Sequence, residues 1–337
     1  MKLAVVLFNL GGPDSPDAVE PFLTNLFSDP AVLTMPGFIR KPLARFIARK
    51  RAPIAREIYA KIGGSSPILP ETLAQAEALE KAITEHETRA FIAMRCWKPF
   101  IHEAAAAVAA FKPDHIVLLP LYPQFSTTTT GSSLTEWKRV AALAGITAPT
   151  TTICCYPDLD GFIAALAGNI EDSFAGARSD VSYRLLLSAH GLPKRVIARG
   201  DPYQAQVEQT AAALKARLSC DDVSICYQSK VGPLEWIGPA TDAEIRRAGA
   251  EGKGLVIAPV AFVSEHSETL VELDIEYAKL AREAGVPDYR RVPTVSVRAE
   301  FIAGLAGLVR RSIQSGSGGG GKTCPLTSAR CPRVGTA

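Results

Sequence analysis

Short apolar runs, each closed by Gly, Pro or Ser and followed by a stretch with helical spacing, recur along the whole chain. They fall at 3–10, 90–94, 115–121 and 151–155 in the first half, and at 184–188, 223–227, 255–263 and 291–297 in the second. Runs of this length fit strands buried on both faces, and their alternation with helical segments is the pattern of a parallel sheet with crossover helices. Helices are predicted at 70–85, 99–110, 202–218, 241–248, 269–284 and 300–314, several opened by Pro or a capping residue. Eight strands divide into two sheets of four. The expected fold is α/β, two Rossmann-like lobes each built on a four-stranded parallel sheet flanked by helices.

Length supports two lobes, because single cores stop growing at roughly 250–300 residues and this chain has 337, 47% of them hydrophobic. The lobes are expected at 1–160 and 161–298, with a C-terminal helix at 299–314 free to pack back on the first. Residues 315–337 open with Ser-Gly-Ser-Gly-Gly-Gly-Gly, a flexible linker by composition, and end in a tail carrying Cys324 and Cys331. In open sheets of this kind ligands sit beyond the carboxyl ends of the strands, so the loops leaving the runs are where chemistry belongs.

Charge narrows the partners. Lys and Arg total 37 against 34 Asp and Glu, a net +3 that leaves no nucleic-acid footprint. Seven cysteines without a tight repeated spacing do not form a secreted disulfide framework. The opening Met1-Lys2 and the apolar run to Leu10 read as a first strand and not as a signal peptide. No stretch approaches the roughly 18–20 apolar residues of a membrane span. A cytoplasmic protein is expected, with any membrane contact peripheral. Segment 35–51 has the composition for such contact with an inner membrane, mixing Phe38, Ile39, Leu43, Phe46 and Ile47 with Arg40, Lys41, Arg45, Arg49, Lys50 and Arg51. A helix covering the core with a solvated basic face reads equally well.

One motif misleads. Residues 316–323 match the phosphate-loop spacing, but a helix precedes them and Cys324-Pro325 follows, where the motif needs a strand before and a helix after. In Gly11-Gly12-Pro13 a proline likewise takes the place of a close-approach glycine of the dinucleotide fingerprint.

Two strand ends carry chemistry. The run 184–188 leads into Ser188-Ala189-His190-Gly191-Leu192-Pro193, which puts an imidazole able to exchange protons near neutral pH at a sheet edge. A lone histidine there could simply bond its loop. The run 255–263 leads into Ser264-Glu265-His266-Ser267-Glu268-Thr269, adding a second imidazole and two carboxylates, a set suited to a borderline divalent metal such as Fe²⁺ or Zn²⁺. A capping box between Thr269 and Glu272 would start the helix at Thr269 and leave His266 and Glu268 extended and pointing the same way. Farther on, Glu268, Glu272 and Glu276 recur every four residues, a solvated face or, lining a cleft, a path that attracts cations. Trp236, bracketed by Gly-Pro pairs beside Gln228, Ser229 and Lys230, is either core or a platform for a large flat ligand.

Six ordered segments together resemble ferrochelatase: 9–13 (NLGGP), 62–67 (IGGSSP), 122–134 (YPQFSTTTTGSSL), 188–193 (SAHGLP), 228–239 (QSKVGPLEWIGP) and 259–276 (PVAFVSEHSETLVELDIE). The resemblance runs from Met1 to about Arg310. It implies a chelatase-like fold with a porphyrin cleft between the lobes and insertion of ferrous iron into protoporphyrin IX to give protohaem. His190 and Glu268 would face the macrocycle centre as catalytic and metal-contacting groups, with His266 close by and Glu272 and Glu276 as a metal or proton path. Leu10, Arg95, Trp236 and Phe262 match positions that contact or shape the porphyrin, and Arg51, Ser66, Gln228 and Lys230 match the region of its propionates.

Some relatives hold a [2Fe–2S] cluster through C-terminal cysteines, and 324–326 (Cys-Pro-Leu) resembles the start of that motif, whereas Thr127 and Thr327 stand where animal enzymes carry cysteine. Cys324, Cys331, Cys154 and Cys155 are the candidate thiolates, since such clusters take four. Leu10 and Cys96 replace the Met and Tyr frequent in relatives, an altered cleft lining. Protoporphyrin IX and ferrous iron are thus the expected partners, for a monomer or homodimer. Two other readings remain at this point: a chelatase for another metal or porphyrin, such as cobalt or coproporphyrin, and a two-lobed tetrapyrrole or metal carrier without chemistry.

Overall fold

A computed structural model describes residues 1–230 and 232–315. They form two compact units: Met1–Cys155 with the residues from Leu305 on, and Tyr156–Gly304. The tail with Cys324 and Cys331, and the 316–323 motif, lie outside the described residues.

The first unit runs β1 (Lys2–Asn9), α1 (Val19–Ser28), α2 (Gly37–Ala60), α3 (Ile68–Ala82), β2 (Glu87–Met94), α4 (Ile101–Phe111), β3 (His115–Pro120), α5 (Thr130–Leu143) and β4 (Thr150–Thr152). Its sheet has the order β2-β1-β3-β4 with every pairing parallel. Central β1 is buried from Leu3 to Phe8, as its unbroken apolar run requires. On one face Ala4, Val6 and Phe8 pack with Phe91, Ile101, Val108 and Trp137. In α2 the small residues Ala44, Ala48 and Ala52 recur every fourth position and are fully buried, while Phe38, Phe46 and Ile54 face outward.

The second unit runs α6 (Asp160–Ala175), β5 (Tyr183–His190), α7 (Lys194–Ala198), α8 (Tyr203–Lys215), β6 (Val223–Gln228), α9 (Thr241–Ala250), β7 (Gly254–Pro259), a π-helix (Glu268–Tyr277) continued by α10 (Ala278–Glu283), and β8 (Tyr289–Arg291). Its sheet repeats the first, β6-β5-β7-β8, again parallel throughout. The last helix, α11 (Ala299–Ser315), is tied at Arg310 to Glu85 of the first unit. Two four-stranded parallel sheets flanked by helices are thus the architecture expected from the strand pattern.

Details differ. The last strand lies at Tyr289–Arg291, not 291–297: Val292 still donates to the Ile257 carbonyl, but Pro293 has no N–H to continue the ladder. β7 stops at Pro259, with one further bond from Val260 N to Ser188 O, and the rest of that apolar run leaves the sheet as a loop. Helix α6 was not foreseen, because it is apolar almost all round, with Phe162, Ile163, Leu166 and Ile170 buried.

Candidate functional site in the second unit

In the sheet order β6-β5-β7-β8, the connections leaving β5 and β7 turn to opposite sides. The gap beyond their carboxyl ends is therefore the topological switch point, where such sheets hold ligands. His190 is the last residue of β5; the loop after β7 carries Phe262 and His266, and Glu268 opens the π-helix that follows. The two histidine motifs are distant in sequence but leave neighbouring strands.

Glu268 lies between two imidazoles. Its Oε1 is 3.6 Å from His190 Nε2 and its Oε2 is 3.5 Å from His266 Nε2. Burial opposes ionisation of this carboxyl, but the His190 charge and the hydrogen bond and charge of His266 outweigh it and hold Glu268 at about 2. His190 Nδ1 lies 2.5 Å from the Gly191 carbonyl oxygen, which only accepts, so Nδ1 carries the proton. In the neutral ring, Nε2 is then the basic nitrogen, and it faces Glu268. Buried Tyr203, hydrogen-bonded to the His190 backbone, supports the same turn.

Close packing fixes this geometry. A Cβ on Gly191 would come within 2.9 Å of the Gln228 carbonyl oxygen and 3.1 Å of the Trp236 ring, so only glycine lets the turn pass. The Trp236 ring centre lies 6.4 Å from that of His190, and Phe262 lies 4.5 Å from His266.

The helix after His266 departs from expectation. No capping box forms between Thr269 and Glu272. Instead the Thr269 hydroxyl donates to the His266 carbonyl and accepts from the His266 N–H, each at 3.0 Å. The helix starts one residue earlier, at Glu268, and is wound with i→i+5 bonds. That wider winding brings Glu268 beside both imidazoles without the extended 266–268 segment which the capping box implied.

Glu272 is freed from capping and turns toward β6. It accepts from Ser229 N (2.9 Å), Ser229 Oγ (2.6 Å), Gln228 Nε2 (3.0 Å) and Tyr277 Oη (3.1 Å). Ser229 adopts a left-handed φ of 64° that aims both its donors at this carboxylate. Burial and the nearby Glu268 charge nevertheless push Glu272 upward, against the pull of the Ser229 and Gln228 donors. Gln228 is 1% exposed: its Oε1 accepts from Ser188 and its Nε2 donates to Glu268 O and Glu272. Both ends of the amide are engaged within the protein, which ties β6 to the start of the π-helix. Lys230 is exposed beside it, and Glu276 is exposed farther along the π-helix.

The remaining expected porphyrin contacts lie in the first unit. Arg95 follows β2 and is tied through Nη2 to buried Asp29 (3.0 Å) and through Nε to Ser132 (2.7 Å). Asp29 escaped the sequence reading, since nothing local distinguishes it from a turn residue. Ser66 packs on Gly12, where a Cβ would meet it at 2.5 Å, which joins the 9–13 and 62–67 motifs. Leu10 and Cys96 are linked by a backbone bond of 2.8 Å, and Arg51 is exposed on α2 over Phe27. Cys154 and Cys155 are buried against Phe125 with sulfurs 3.6 Å apart.

The family model described as ferrochelatase matches residues 2–313. The chain belongs to the ferrochelatase family. Ferrochelatase from Caulobacter vibrioides is 55% identical over 340 residues, covering 98% of this chain and 97% of its own. That of Phenylobacterium zucineum is 54% identical, with 98% of each chain covered. Among solved structures, Bacillus subtilis SirB with Fe3+ superposes with a TM-score of 0.57 at 15% identity, over 94% of this chain and 98% of its own. The sirohydrochlorin chelatase SirB from Bacillus subtilis subspecies spizizenii in complex with cobalt gives 0.54 at 11% identity, over 94% and 97%. These structures show the fold alone. Ferrochelatase membership makes the chain a porphyrin metal chelatase, a lyase of haem biosynthesis.

Proposed function

We propose that this chain inserts ferrous iron into protoporphyrin IX, with His190 as the acceptor of pyrrole protons. The observation that carries the reading is His190 Nε2 standing 3.6 Å from Glu268 Oε1, with the ring held from its other nitrogen by the Gly191 carbonyl. Metallation requires a bent ring, loss of two N–H protons and delivery of a partly dehydrated Fe²⁺. His190 Nε2 takes the two protons in turn, releasing the first before it takes the second, and Glu268 stabilises each imidazolium and keeps it oriented. His266 shares the same carboxylate from its other oxygen. Glu272, whose affinity for a proton is raised, is the next acceptor along the helix, and Glu276 continues that path outward. Aromatic Trp236 and Phe262 supply the apolar walls that favour a distorted macrocycle over a flat one. Leu10, Arg51, Ser66, Arg95 and Lys230 are assigned to porphyrin contact and Gln228 to positioning.

Iron is the substrate in this reading, and no step passes through a [2Fe–2S] cluster. Of its four candidate thiolates, Cys154 and Cys155 are buried in an apolar setting, and Cys324 and Cys331 lie outside the described residues. No described helix is long and apolar enough to cross a membrane. We assign peripheral contact with the cytoplasmic face to α2, whose Phe38 is 80% exposed and Phe46 58%, among Arg and Lys side chains.

The test is an anaerobic assay with Fe²⁺ and protoporphyrin IX followed by absorbance, with Co²⁺, Zn²⁺ and coproporphyrin as comparators. Fe²⁺ with protoporphyrin should turn over fastest. Porphyrin binding without metallation by any cation would make the chain a carrier.

A further inference from the structure

Arg291 ends β8 and is gripped on two sides. Its Nε and Nη2 take the Asp274 carboxylate as a fork, at 2.8 and 2.6 Å, and its Nη1 reaches Glu265 Oε1 at 2.6 Å. Asp274 sits within the π-helix, and Glu265 immediately precedes His266. The same Glu265 oxygen accepts the Thr294 N–H at 2.9 Å, which doubles its attachment to the chain leaving β8. Arg291 and Glu265 are 14% and 17% exposed, so water competes little for the bond between them, while Asp274 is the more open partner.

The two grips fall on either side of His266–Glu268 in the chain. This matters because π-winding is rare and does not persist by local preference, so neighbouring structure must hold it in place. If the π-helix relaxed toward ordinary α-winding, with about 100° per residue, Glu268 at its start would turn relative to Asp274 and to His266 in the preceding loop. A planar guanidinium can hold one carboxylate as a fork while bonding a second, whereas an ammonium offers only a point charge.

We propose that Arg291 is a positioning residue for the metallation reaction: it fixes the register of the π-helix and the preceding loop, so that His266 and Glu268 meet. It touches neither substrate nor the reacting atoms. The inference rests on the reading that the His190, Glu268 and His266 set performs the chemistry.

Steady-state kinetics of Arg291→Met and Arg291→Lys in the full chain test it. Arg291→Met should lower kcat by about ten- to a hundredfold, the range seen when a supporting partner of an active group is lost, with little change in porphyrin KM. Arg291→Lys should recover part of the loss. Arg184, a buried arginine paired with Asp222 and Glu251 at the opposite end of β5, is the control. Arg184→Met should lower Tm and leave kcat near parental. Parental kcat in Arg291→Met, or an equal kcat loss in Arg184→Met, would overturn the proposal. Should Arg291→Met fail to fold, Asp274→Asn removes the fork alone and should lower kcat in the same way; a parental kcat there would also overturn it. His190→Ala run in parallel separates the two ideas. An active His190→Ala takes down the site reading, whereas an inactive one beside a fully active Arg291→Met takes down only the positioning role.

Discussion

Nε2 of His190 and Oε1 of Glu268 stand 3.6 Å apart at the end of a sheet, close enough for charge stabilisation and open enough for a proton to arrive between them. His190→Ala should therefore abolish metallation while leaving porphyrin binding measurable by fluorescence quenching. Near-normal turnover would remove His190 from the mechanism.

Glu268→Gln keeps the shape but removes the charge that steadies the imidazolium. Its kcat should fall by about a hundredfold, the usual scale for losing support of an acid–base group. The check is the anaerobic assay at saturating porphyrin.

The same carboxyl makes stability depend on pH. Its folded value of about 2 lies below the ordinary 4.5, so its stabilising contribution is present above 4.5 and is lost as pH falls from there toward 2. Urea unfolding of the parent and of Glu268→Gln should give midpoints that differ at neutral pH and converge in acid. A constant gap would contradict the ionised bridge.

Glu272 has the opposite sign. Its proton is held more tightly in the folded chain, so its ionisation opposes folding as pH rises through that raised value. Glu272→Gln should therefore gain stability relative to the parent between acid and neutral pH, in the same unfolding series. A gap that moves the other way would mean that the Ser229 and Gln228 donors prevail over burial.

Gly191→Ala forces a methyl against the Gln228 carbonyl and the Trp236 ring. Overpacking of this kind costs about 1–3 kcal/mol, and because the turn carries His190, kcat should drop with Tm. Calorimetry beside the assay checks both.

Much of this is legible in the sequence. Continuous apolar runs located seven of the eight strands within a few residues, and His190 and His266 stood out because each follows such a run into a turn. What escaped notice has physical causes. The π-winding at Glu268–Tyr277 leaves the same spacing of apolar residues as an α-helix, so a capping box looked natural. The bonds of the Gln228 amide to Ser188, Glu268 and Glu272 join residues about 40 positions apart and leave no local signature in the sequence. Asp29, the partner of Arg95, is remote from it in sequence, and a pairing of that kind has no local signature.

The stems of the two histidine loops, β5 and β7, share a hydrogen-bonded edge from Tyr183 to Ser188. A catalyst anchored on such an edge inherits its stiffness: denaturant should not extinguish turnover gradually ahead of unfolding but in the same cooperative step that melts the second sheet. Loop-borne sites elsewhere commonly fail first; here the enzyme is expected to work at full rate until the scaffold itself gives way.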